Sequence, residues 1–271
     1  MMQWLEVAVI LIAVPAAVMT GAWWFHERTK QSGWIDVMWT SAVGLAGAGA
    51  ALAGHVGAVP DRAWLYSAMA AAWGVRLALH LADRTRRAPD DPRYKKMRAK
   101  WGKESPRRMF GMLMFQAFAA AIPALAVAAA AHVSDGPISA VDIAAVVLFA
   151  VAWIGETLAD AQMRAFRAQP DAHGRVMDTG LWAWSRHPNY FFEWLNWVAF
   201  ALGAFAAPGW VTLLALPATI LMFHLLSNVS GVPMLERQLK ASKGAAWDAY
   251  AARVSRFFPW PPGNSSIADS R

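Results

Sequence analysis

Apolar stretches of roughly 20 residues, each long enough to cross a hydrocarbon core of about 30 Å, recur along the whole chain, with polar residues gathered between them. Seven are predicted as helices, at about residues 4–24, 34–54, 63–82, 110–132, 138–158, 190–207 and 209–230. The pattern predicts an all-α, polytopic integral membrane protein, with one transmembrane domain over residues 1–260 and a disordered tail over 261–271. The first stretch lacks a basic n-region, and no cleavage site separates it from Trp23 and Trp24, so it reads as a retained span rather than a signal peptide. Gly44, Gly47 and Ala48 in the second stretch predict close helix packing. Beyond the last stretch, Glu236, Trp247 and Tyr250 fit an amphipathic helix lying on the membrane surface.

Composition strengthens this picture. Of 271 residues, 57% are hydrophobic and 16% charged, against about a quarter charged in soluble domains. There is no cysteine, which excludes disulfides, thiol chemistry and Cys-ligated metals. The net charge of +7 is unevenly placed. Residues 83–108 hold eleven Lys/Arg against four acids, whereas segments 55–62 and 133–137 contain only Arg62. The positive-inside rule then predicts the N-terminus outside and the C-terminus in the cytoplasm. Nucleic acid is a poor partner for a chain without a soluble groove-reading module. His80, His173, His187 and His224 show no metal-ligand spacing, so no metal is expected.

The candidate chemistry lies mostly after residue 155. Pro188 suits the first turn of a helix, which would aim free N–H groups and a positive dipole end at the neighbourhood of Arg186 and His187. Asn189 and Glu193 then share one helical face. Glu193 would sit about one turn inside the membrane, where a carboxylate faces either a structural partner or a wet cavity. Upstream, Glu156, Asp160, Arg164 and Arg167 form one stripe, readable either as an interfacial row of i,i+4 pairs or, with Arg175 and Arg186, as a phosphate site.

In this region the chain resembles a known family. Gly180-Leu181-Trp182, Arg186-His187-Pro188-Asn189-Tyr190 and the later Glu236…Trp247…Tyr250…Pro259 are similar to the steroid 5-alpha-reductase C-terminal domain family, and more narrowly to its bacterial DUF1295-type branch of membrane proteins. Trp73-Gly74-Val75-Arg76 through His80, Asp91-Pro92-Arg93-Tyr94 and Trp101-Gly102 extend the resemblance over about residues 34–260. It implies a seven-helix membrane reductase that binds NADPH in a cytoplasm-facing cavity. Such enzymes reduce a C=C bond conjugated to a ketone in a steroid-like or isoprenoid lipid. By the same resemblance, Asp160, Arg167, Arg175 and Asn189 would hold the dinucleotide, with Arg164 on the same stripe, and Glu193 would lie near the nicotinamide. Arg186, His187, Tyr190, Glu236 and Tyr250 would shape the pocket or its lid. The early Gln-Glu pair of the animal enzymes is missing, and Trp73 stands where they carry a Tyr. Asp36, the only acid of the second stretch, is therefore the candidate carbonyl-polarising group, or else a partner of Arg76.

The competing expectation is a membrane methyltransferase resembling the isoprenylcysteine carboxyl methyltransferases. These share the Arg-His-Pro element and a downstream Glu, and bind S-adenosylmethionine. Its ligand has no phosphate for the arginines to hold, and seven spans exceed the five or so expected of that group.

Overall fold

The computed structural model describes residues 2–55, 57–87, 92–229 and 231–262, and these are all-helical, with no strand among them. Ten α-helices follow in order: α1 (Met2–Thr29), α2 (Trp34–Leu52), α3 (Asp61–Arg87), α4 (Pro92–Trp101), α5 (Ser105–His132), α6 (Ala140–Arg167), α7 (Pro188–Gly203), α8 (Leu216–His224), α9 (Val232–Lys243) and α10 (Ala245–Arg253). Each of the seven apolar stretches is helical. Among the described residues, however, five runs are long and apolar enough to cross a membrane: Trp4–Thr29, Trp34–Leu52, Tyr94–His132, Ala140–Arg167 and Trp210–Lys243. The other two fall short for different reasons. α3 has the length but carries Arg76 and His80 within its apolar run, and α7 has 16 residues, about 24 Å at 1.5 Å per residue. Most of the expected tail, and Asp91 of the Asp-Pro-Arg-Tyr motif, lie outside the described residues.

The outward faces confirm a multi-pass membrane protein. On α6, Ile143, Val147, Val151, Ile154 and Leu158 are exposed, while Ala145, Ala152, Glu156, Ala159 and Asp160 are buried. That spacing of four, four, three and four makes one apolar stripe along the helix. In water such a stripe would be turned inward; facing hydrocarbon, it belongs outside. Phe115 and Phe118 do the same on α5, at 71% and 70% exposure.

The chain sorts into two compact units. The first comprises Met1–Ala145 and Phe200–Ala218, the second Val146–Ala199 and Thr219–Arg271. In the first unit α2 packs against α1, α3 and α5. Gly44 of α2 and Gly74 of α3 meet so closely that a Cβ on either would lie 3.1 Å from the other's Cα. This is the close helix approach expected of the glycine-rich second stretch, with Gly74 as its counterpart.

A buried polar knot fastens the start of α3 to the start of α6. Arg62 Nη1 donates to Asp142 Oδ1 at 2.5 Å, Tyr66 OH donates to the same oxygen at 2.9 Å, and Ser139 N and Oγ reach Oδ2 at 2.8 and 2.7 Å. Both carboxylate oxygens are thus satisfied, as a buried charge requires.

In the second unit α6 and α7 carry the polar residues. Past α8, the helix widens into a π-turn, Leu225–Val229. The surface helix expected around Glu236 to Tyr250 is two helices, because Gly244 adopts φ +54 and ends α9 before α10 begins.

Candidate functional site

The densest cluster of expected residues lies within the second unit, at the start of α7. That helix begins at Pro188, as the fixed φ of proline favours. His187, immediately before it, is fully buried, and its Nε2 lies 3.2 Å from Glu236 Oε1 on α9. The Arg186 Nη1 reaches the same oxygen at 3.1 Å, and Arg256 Nε lies 3.8 Å from the other. One carboxylate therefore gathers two guanidiniums and an imidazole. Burial pushes the His187 imidazole below its ordinary pKa, against the opposing pull of Glu236, so the ring is neutral near pH 7. Tyr190 stacks on it at 5.7 Å, with ring planes 10° apart. Arg186 also lies 5.9 Å above the Trp247 ring.

The loop before α7 is held from several sides. Tyr250 OH donates to Trp182 O at 2.6 Å, and burial raises the phenol pKa, keeping the donor protonated. Ser185 Oγ donates to Phe257 O at 2.8 Å and accepts from His187 N at 3.1 Å. Residues 254–260 form a strap running beside the loop, with Arg186 N donating to Ser255 O at 2.8 Å and Trp260 N to Trp184 O at 2.9 Å. Gly180 opens the loop at φ +61, and a Cβ there would lie 2.7 Å from the Gln162 side chain. The Gln162 Oε1 accepts the Leu181 N–H at 3.0 Å.

Between α6 and α7 runs a polar ladder. Asn189 Nδ2 donates to Asp160 Oδ1 at 3.3 Å, and Asn196 Nδ2 to Glu156 Oε2 at 3.4 Å. Glu193, 5% exposed, accepts from Trp197 Nε1 at 3.2 Å. Asn189, Glu193 and Asn196 are spaced four and three apart, so the expected face is real and extends one residue further than anticipated. Glu156 and Asn196 therefore join the site. Asn196 was legible from its spacing, whereas Ser185 and Arg256 carry no sequence signal for their roles.

The remaining expected residues are distributed around this cluster. Arg175 pairs with Asp171 and lies 5.6 Å over the Phe166 ring. It lines two pockets, of about 570 and 380 Å³, that also share Asp178; Tyr250 and Arg253 wall the first, Gln162 and Gln169 the second. Arg164 and Arg167 are exposed on the last turn of α6. Asp36 sits in the first unit, on the first turn of α2, with its side chain 37% exposed and 3.9 Å from Arg84. The deep burial that would keep such an acid protonated as a donor is not found there. Among the described residues no group of three or more His, Asp or Glu could hold a metal ion.

Two nitrogens here are buried without a hydrogen-bond partner among the described residues: Arg186 Nε, a donor, and His187 Nδ1, an acceptor in the neutral ring whose Nε2–H points to Glu236. Buried polar atoms are rarely left unmatched, and a donor beside an acceptor fits a site that takes a polar ligand. No curated protein and no solved structure matches the chain. Residues 22–254 match the family described as "Protein of unknown function (DUF1295)", a match that spans every element of both units from late α1 through α10. The chain belongs to the DUF1295 family.

Proposed function

We propose that this protein is an NADPH-dependent membrane reductase acting on a C=C bond conjugated to a ketone in a steroid-like or isoprenoid lipid. The observation that carries the reading is the pair of pockets joined at Arg175. Their volumes fall in the range of small-molecule sites, and their walls combine two arginines with amide and phenol groups and with Asp178, which pairs with Arg253. Arg175, with Arg164 and Arg167, would hold phosphates, since guanidiniums match phosphate oxygens in a bidentate way. Asp160 and Asn189 would hold the rest of the dinucleotide, and Arg186 and His187 offer the unmatched nitrogens. When bound, NADPH would supply the hydride that reduces the double bond. Glu193, buried on the same face as Asn189, is the carboxyl suited to hold a proton beside the reacting end. The charge pattern supports an N-terminus outside and a C-terminus in the cytoplasm.

Binding of NADPH to the detergent-purified protein, followed by quenching of its tryptophans with NADH and S-adenosylmethionine as competitors, tests the proposal. Saturable binding that favours NADPH is expected, and Arg175→Ala should weaken it by about tenfold or more, the loss of one or two charged hydrogen bonds. Unaltered affinity in that variant would remove the phosphate site.

Two observations favour the second reading, an S-adenosylmethionine-dependent methyltransferase. Five runs rather than seven have span length and apolarity, and the Arg-His-Pro element does meet its downstream carboxylate in Glu236. Binding of S-adenosylmethionine without NADPH would decide for it.

A further inference from the structure

The charge of this protein sits almost entirely in one short segment. Residues 92–108 hold eight Lys/Arg and one acid, Glu104, a net of +7 that equals the charge of the whole chain; everything outside the segment balances to zero. Elsewhere many basic residues have acidic partners: Arg62 with Asp142, Arg175 with Asp171, Lys240 with Asp248 and Arg253 with Asp178. Within the segment Arg108 pairs with Glu104. Lys95, Lys96, Lys100, Lys103 and Arg107 are all exposed and have no ion pair with another described residue.

The segment is rigidly mounted. α4 turns Tyr94 inward, with Trp101 partly buried, against a core of Met19, Ala22, Ile35, Met109 and Leu113. Arg98, on the same inward side, reaches His26 Nε2 at 3.3 Å. The spacing of four and three from Tyr94 to Arg98 to Trp101 leaves the lysines on the opposite, outer face. The surroundings are those of a membrane–water boundary. α4 leads into α5 and lies beside the polar end of α1, both within runs that can cross a membrane. At the same end of α1, Trp24 is 55% exposed and carries Arg28 5.0 Å over its ring. Exposed indoles beside basic residues are the usual furniture of the headgroup layer.

We propose that the outer face of α4 and the turn after it form a binding surface for anionic phospholipid headgroups. Unpaired lysines on a docked helix, held level with interfacial indoles, meet the phosphates of lipids that reach the same plane. The occupant is a lipid rather than a free anion because the cations form an open face at the boundary, not a pocket enclosing one phosphate. This surface lies in the first unit and is independent of the reductase reading.

Native mass spectrometry of the full-length protein, with phosphatidylglycerol or phosphatidylcholine added to the detergent, provides the test. Wild-type protein should retain the anionic lipid over the zwitterionic one by about fivefold or more. In K95Q/K96Q/K100Q/K103Q the preference should fall below about twofold, whereas R237Q/K240Q/K243Q, which removes basic charge from α9, should keep it. Equal retention of the two lipids by wild-type protein would overturn the proposal, as would a preference unchanged in the quadruple variant. If that variant does not purify, ionic strength decides on the wild type. Raising ammonium acetate from about 0.1 to about 0.5 M should at least halve the preference, and a preference indifferent to salt would refute a headgroup surface built on charge.

Discussion

Glu236 shows what a single side chain does in this molecule. Its two oxygens serve Arg186, His187 and Arg256, which come from the loop before α7 and from the strap after α10. Replacing it with Gln keeps the size and one acceptor but removes the charge, leaving Arg186, 14% exposed, without its counter-ion. Leaving a largely buried charge unpaired is costly. We expect Glu236→Gln to lower stability by about 2 kcal/mol, read as a fall of roughly 4–8 °C in the melting temperature of the detergent-purified protein. An unshifted melt would mean that solvent replaces Glu236 at no cost. None of these partnerships can be read from the sequence alone, because His187 and Glu236 are 49 residues apart and no periodicity relates them. The resemblance places both in one pocket without saying that they touch. Asp36 is the converse case. It is conspicuous in the sequence as the lone acid of an apolar stretch, yet its position on the first turn of α2 leaves it only half-buried beside Arg84.

At the scale of elements, periodicity carried most of the information. The stripe from Glu156 to Arg167 is one face of α6, and Pro188 opens α7, because both depend on local rules of helix geometry and capping. Two things were not local. The break at Gly244 splits an amphipathic run whose pattern continues through it, and α7 stops at 16 residues, although the apolar composition runs on. The loop from 180 to 187 is legible at its first residue, since Gly180 at φ +61 lies in the region where glycine is favoured. Gly174 has φ +87 with open space around its Cβ position, whereas a Cβ on Gly180 meets Gln162. Gly174→Ala should therefore cost only the backbone strain, about 1 kcal/mol, and Gly180→Ala about 1 kcal/mol more, with loss of the Gln162–Leu181 hydrogen bond. Parallel thermal melts of the two variants check this, and equal losses would show that Gln162 moves aside freely.

At the scale of the whole molecule, the membrane character was plain from hydropathy, while the number of crossings was not. Length and apolarity are satisfied by five runs; α3 and α7 could cross only where neighbouring helices cover their polar or short portions, a property of packing that no window along the chain records. The absence of cysteine makes the topology directly measurable, because a single introduced thiol is the sole target of a maleimide. Ala99→Cys on α4 should be shielded from an impermeant maleimide in intact cells and labelled after lysis, with Gly57→Cys labelled in both. The reverse pattern would invert the orientation proposed here. The strap of residues 254–260 adds a constraint in time. Among the described residues Arg186 N and Trp184 O find their partners in Ser255 and Trp260, so some seventy residues must be synthesised after the Arg-His-Pro element before its loop can close. The loop before α7 is then fastened only after α10 has been made, and a chain halted at residue 253 would be inserted in the membrane with that loop untied.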